Sequence, residues 1–169
     1  MIIVAIVKHI KSRNANYSDA LNYLIFQHDE STGKMILDEF NRPLRRDELY
    51  VDGLNCNPDT FDVECYECNE HFKKNRNRSE IKSHHYIISY DPADAIECDL
   101  TGEKAQALSL ELAKKIFPGY QALIVTHTDG HNGSGNIHTH IVINSVRKEA
   151  VRRQSYMDKP HEEIAGYKH

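Results

Sequence analysis

His127, Asp129, His138 and His140 are the residues whose types and spacing point to chemistry. They lie in Thr126-His127-Thr128-Asp129, a glycine-rich connection, and Ile137-His138-Thr139-His140-Ile141-Val142-Ile143-Asn144. Strand side chains alternate faces, so His138 and His140 share a face with Asn144, and His127 shares one with Asp129. If the two stretches pair as a hairpin, three imidazoles converge on one point. Three neutral imidazoles suit a divalent transition metal, and such a site keeps open coordination positions, as catalytic sites do. Asp129 is then placed to accept an N–H from one ligand and orient it, and Asn144 is a further candidate for that supporting role. A lone His-x-His is most often a pair of hydrogen-bonded or surface histidines. The added His127-x-Asp129 on the adjoining strand favours the metal.

The elements that must position these residues follow from the pattern. Ile2 to Ile10 is rich in β-branched residues and reads as a strand. Ser18 caps a helix carrying Leu21, Leu24 and Ile25 on one side. His28 to Pro58 is turn-rich and reads as loops with short extended pieces. Asn57 and Pro58 open a second helix that runs to about Lys74. His84 to Tyr90 is a strand. Thr101 caps a third helix, with Ala105, Leu108, Leu112 and Ile116 as its apolar face, and Phe117-Pro118-Gly119 stops it. Gln121–Asp129 and Ile137–Val146 are strands, with Ile137, Ile141 and Ile143 facing core. The order predicts an α+β fold, a central, largely antiparallel sheet flanked by helices, in one domain spanning 1–169. A cupin-like barrel fits poorly, because no glutamate follows the His-x-His and three good helices are present.

The 169-residue chain is 40 % hydrophobic and 27 % charged, ordinary for a globular domain. No apolar run approaches the roughly 18 residues of a membrane span, so no membrane insertion is expected. The net charge of −4 is unevenly spread. Residues 29–70 hold twelve acids against four Lys or Arg. Lys73, Lys74, Arg76, Arg78 and Lys82 form a basic stretch, and Arg147, Lys148, Arg152 and Arg153 begin a basic tail. Such segments can contact phosphates in an acidic chain, although a solvated face is the commoner meaning of a charge run. Cys65-x-x-Cys68 lacks the second pair of a zinc finger. At helical spacing it shares a face with Phe61 and Phe72, which makes the cysteines core residues.

His127-x-Asp129 … His138-x-His140-x-x-x-Asn144 resembles motif III of the relaxase/mobilisation nucleases, specifically the MOBP class within the HUH endonucleases. Asn16-Tyr17-Ser18-Asp19-Ala20-Leu21-Asn22-Tyr23-Leu24 resembles motif I, and His85-Tyr86-Ile87-Ile88-Ser89-Tyr90 the motif II strand. The resemblance covers essentially the whole chain. One departure is clear: eight residues, Gly130 to Ile137, separate the aspartate from the histidine pair, where the family pattern has four. His131 in this connection is a weaker candidate ligand.

The resemblance implies a metal-dependent strand transferase that nicks single-stranded DNA at an origin of transfer, for conjugation or mobilisation. It implies that Tyr23 is the nucleophile that forms a 5′-phosphotyrosine, with Tyr17 the lesser candidate. Asp129 would orient a histidine or take the phenol proton, and His127, His138 and His140 would hold one divalent ion, manganese or magnesium. Lys73, Lys74, Arg76, Arg78, Arg147, Arg152 and Arg153 are the candidate DNA contacts. Relaxosome proteins and a coupling protein are the implied partners, in a bacterial cytoplasm, and family members usually continue beyond the nuclease domain. The rivals are a rolling-circle replication initiator, whose tyrosine would follow the histidines, and a metal-stabilised DNA-binding module without chemistry.

Overall fold

The computed structural model describes residues 5–128, 136–153 and 163–169. Five strands, β1 (Ala5–Ser12), β2 (Leu49–Leu54), β3 (Ser83–Tyr90), β4 (Tyr120–His127) and β5 (His138–Arg147), form one sheet in the order β1-β3-β5-β4-β2. Every neighbouring pair is antiparallel. Helices α1 (Tyr17–Ile25) and α2 (Phe61–Phe72) cover one face, and α4 (Gly102–Ile116) covers the other; α3 (Pro92–Glu97) is short. This is the expected α+β architecture. No helix among the described residues is long and apolar enough to cross a membrane.

Alternation along the two central strands builds both cores. Ile124, Ile141 and Ile143 pack toward α4 with Ala105, Ala113 and Phe117. Leu123, Val125 and Val142 pack toward α1 and α2 with Leu24, Phe61 and Cys65. Cys65 and Cys68 are buried free thiols on α2, and burial raises both thiol pKa values, that of Cys68 to about 11. They occupy the core positions that helical spacing assigns to them.

Local chemistry moves several boundaries. Asn16, not Ser18, caps α1: its side chain accepts the Ser18 N–H at 3.2 Å, so Tyr17 falls inside the helix. Pro58–Thr60 forms a single 3₁₀ turn capped by Asn57, and α2 begins only at Phe61. Leu49–Leu54, read from the sequence as part of a loop region, is an edge strand paired with β4.

The buried face of α4 also differs from the expected one. Gly102, Ala105, Gln106, Ser109 and Ala113 face the sheet, whereas Leu108, Leu112 and Ile116 are 48 %, 39 % and 47 % exposed. Close approach selects small residues here. A Cβ on Gly102 would sit 2.5 Å from Thr128 Cγ2 and 2.6 Å from the Tyr50 ring. Two substitutions on α4 therefore have opposite consequences. Ala105→Leu should cost about 1–3 kcal/mol by overpacking, and Leu108→Ala should stay within about 0.5 kcal/mol of the parent in urea unfolding.

Candidate metal centre

The β4–β5 register sets His127 opposite His138 and Val125 opposite His140. Paired residues share a face, so all three imidazoles stand on the side of α1 and α2. Their ring centroids are 5.1–5.2 Å apart, and one nitrogen of each lies within 4.8 Å of those of the other two. Among the described residues this is the one group of three or more potential ligands so placed.

Hydrogen bonds to fixed acceptors set the tautomers. His127 Nε2–H donates to the Leu24 carbonyl at 2.8 Å, which leaves Nδ1 as a lone pair. His138 Nδ1–H donates to the Asn136 carbonyl at 3.2 Å, which leaves Nε2 as a lone pair. These two lone pairs face each other at 3.3 Å, an arrangement that a shared cation stabilises. His140 Nδ1 lies 2.8 Å from His85 Nε2, while His140 Nε2 is buried with no hydrogen-bond partner. A buried nitrogen without a partner is costly unless something binds it. Burial, reinforced by neighbouring His85, His127, His138 and Arg46, drives the His140 pKa down to about 2, so the ring stays neutral, the ligating form. The donor set therefore fits one divalent ion.

His85 is a site residue that the motif reading did not assign. When His140 Nε2 ligates, its Nδ1 carries the proton and donates to His85 Nε2. Burial, with a smaller effect of Lys8, lowers the His85 pKa to about 4, so this acceptor is neutral near pH 7. The dipeptide His84-His85 hides which imidazole faces the triad; the β3–β5 register decides it, because His85 pairs with Val142 and so shares the face of His140. Arg46 is a second addition, buried close enough to disfavour a charge on His140 and donating from Nη2 to the Tyr23 carbonyl at 3.4 Å.

The other expected residues are placed differently. Tyr23 lies in the last turn of α1, 49 % exposed, next to the Leu24 whose carbonyl holds His127. Tyr17 is buried. Its hydroxyl contacts the Lys82 carbonyl at 2.8 Å and Asn144 Oδ1 at 3.0 Å, and accepts from Asn69 Nδ2 at 2.9 Å. Burial holds its pKa far above the usual phenol value. Asn144 bonds to Tyr17 and Gln121 rather than to a histidine, which makes it part of the core network instead of a support for the ligands. Asp129 and His131 lie outside the described residues.

Lys73, Lys74, Arg76 and Arg78 are exposed, but at the opposite end of the sheet, where Asn75 Nδ2 donates to Ser145 Oγ at 3.1 Å. Arg152 and Arg153 are exposed beyond β5. Arg147 corrects the sequence reading. It is 3 % exposed, its guanidinium lies 4.8 Å from the Tyr120 ring centroid, and Nε donates to the Pro118 carbonyl at 3.1 Å. It is a core cation, because inward alternation on β5 outweighs its membership of a basic run.

The sheet, the helices and the three-histidine centre define a nuclease domain of the relaxase type. The family model for the MobA/VirD2-like nuclease domain of relaxases matches residues 36–165, and the chain belongs to that family. Among curated proteins it is similar to two forms of protein rlx of Staphylococcus aureus. One is 35 % identical over 101 residues, covering 57 % of this chain and 27 % of the relative; the other is 35 % identical over 105 residues, covering 60 % and 28 %. The matches thus span little more than a quarter of those relatives. No solved structure is significantly similar.

Removing any one of the His127, His138 or His140 side chains as Ala should abolish measurable manganese binding in titration calorimetry. His85→Leu should weaken it by about 10–100-fold, the usual effect of losing the partner behind a ligand.

Proposed function

We propose that this chain nicks single-stranded DNA at an origin of transfer through Tyr23, for conjugative transfer or mobilisation of a plasmid or integrative element. The observation that carries the reading is the convergence of three imidazole lone pairs, with His127 tied to the carbonyl beside an exposed tyrosine. Membership of the relaxase nuclease family supports it. The family match begins beyond Tyr23, so the choice of nucleophile rests on the motif I resemblance and on exposure. Tyr17 is the poorer candidate because its phenol is sealed within amides.

A divalent ion held by His127, His138 and His140 would supply electrophilic stabilisation of the scissile phosphate. Manganese or magnesium is proposed, and all-nitrogen donation favours manganese. The Tyr23 phenol oxygen attacks phosphorus, the bond from phosphorus to the 3′ oxygen breaks, and the phenol proton ends on the released 3′-hydroxyl. Asp129 would carry that proton or orient a ligand. The product is a 5′-phosphotyrosine, a diester formed from a diester. The reverse step therefore rejoins strands without ATP. His140 and His85 stay neutral, so neither competes for the proton near pH 7. Accessory relaxosome proteins, a coupling protein and a cytoplasmic setting belong to the same proposal.

The test is a denaturing gel after incubation with a single-stranded origin oligonucleotide and manganese. The parent should give a covalent adduct that chelator prevents. Tyr23→Phe should give none, with urea stability within about 0.5 kcal/mol of the parent. Tyr17→Phe should keep the adduct but lose about 1–3 kcal/mol of stability, because it leaves buried amides unpaired. An adduct from the Tyr23 variant, absent in the Tyr17 variant, would reverse the assignment.

A further inference from the structure

We propose that Arg46 is a positioning residue for Tyr23: it fixes the last turn of α1 beside the three histidines and so sets where the phenol stands. The inference rests on the nuclease reading above, with Tyr23 as the attacking group, and adds a residue to which that reading gives no role.

A helix leaves its last four carbonyls without partners of its own. In α1 the last helical bond runs from the Phe26 N–H to the Asn22 carbonyl at 3.0 Å. The next four carbonyls all accept from outside the helix. Tyr23 accepts from Arg46 Nη2 at 3.4 Å, Leu24 from His127 Nε2 at 2.8 Å, Ile25 from the Arg46 backbone N–H at 3.0 Å, and Phe26 from His28 Nδ1 at 3.0 Å. Arg46 thus grips the turn twice, at the carbonyls before and after the one that holds His127. The Tyr23 ring lies against the His28 ring, with centroids 5.9 Å apart. The Gln27 N–H donates to the Leu44 carbonyl at 2.8 Å, so the backbone that carries Arg46 is itself bonded to the chain leaving α1. An exposed side chain stands on a backbone tied at each carbonyl of its turn.

The ordinary meaning of such an arginine is a helix cap. The last turn of α1 has no basic residue of its own, and a cation complements the partial negative charge there. Capping alone does not account for the placement. Water satisfies a helix end as well, whereas Arg46 is only 7 % exposed, where a charge is costly to hold. Its charge also bears on His140, where it disfavours a further positive charge. Beside imidazoles fitted to a divalent ion, the guanidinium therefore opposes metal affinity. What it does hold is the carbonyl of Tyr23. A nine-residue helix has little stability of its own, and a reacting group displaced by about 1 Å loses about 100-fold in rate.

Single-turnover adduct formation, at saturating origin oligonucleotide and manganese, tests the assignment in Arg46→Met and Arg46→Lys. Arg45→Gln is the control, because it removes the same charge from the exposed neighbour. Arg46→Met, which fills the space of the stem without a donor, should slow the step by about 100-fold. Arg46→Lys keeps a donor but not the planar fork, and its rate should fall between that of Arg46→Met and the parent. Arg45→Gln should match the parent. Oligonucleotide affinity should not change, so the loss falls on the rate and not on half-saturation. Manganese affinity by calorimetry should equal or exceed the parent's in Arg46→Met, because a like charge beside His140 is gone. Weaker manganese binding in both Arg46 variants would make Arg46 a structural support of the histidines and overturn the proposal. A parental rate in Arg46→Met overturns it and leaves the nuclease reading standing, with Tyr23→Phe forming no adduct in the same assay. If Arg46→Met does not fold, a parental rate in Arg46→Lys overturns it. An adduct from Tyr23→Phe overturns both.

Discussion

The register between β4 and β5 is the constraint on which the site depends. His127 stands opposite His138, and both point toward α1 only because each strand also sends Ile124 and Ile141 toward α4. A slip of one residue would turn the histidines into one core and the isoleucines into the other. The apolar residues on both faces therefore hold the three histidines in place. The connection between the strands has little leverage on this pairing. Doubling the number of residues in a connection costs only about 0.6 kcal/mol in closure entropy. The lengthened connection here leaves His127 and His138 paired.

The site is also tied to its helices by polar bonds rather than by packing alone. His127 donates to the last turn of α1, and His140 leans on β3 through His85. Further down the same face, Tyr17 links α1 to β5 and α2 through Asn144 and Asn69, and Asn75 continues to Ser145. A network of amides and one phenol is expensive to bury unless each member is satisfied. Here it fixes α1 against the sheet at the end away from the three histidines. The two anchors together set where Tyr23 stands, with Leu24 buried beside it.

Sequence patterns reached the fold and the clustering of the three histidines because both depend on period-two alternation, which survives without tertiary information. The same patterns missed β2, whose Leu49-Tyr50-Val51-Asp52-Gly53-Leu54 is an edge strand with a glycine and an acid in its interior. They misread α4, since counting large apolar residues finds the exposed stripe, while the sheet selects small ones. They misread Arg147, because a charge run carries no information on which member alternates inward. His85 and Arg46 act through strands and loops distant in sequence, so no local spacing marks them. Asn144 sits on the predicted face and yet serves the Tyr17 network, because four residues beyond His140 along a strand is already about 13 Å away.

Charge is distributed unevenly across the sheet. The acids concentrate in residues 29–70, which supply β2, α2 and the bridge-linked segment between α1 and β2, on the β4 side of the sheet. Strands β1 and β3 carry two lysines, three histidines and no acid. The five-strand order places these halves at opposite edges, with the histidines between them on β4 and β5. Exposed charges are screened beyond about 8–10 Å at physiological salt, so the β1 edge feels little of the acidic edge. The net charge of −4 is thus a poor guide to the charge of either edge, and the sheet order decides it.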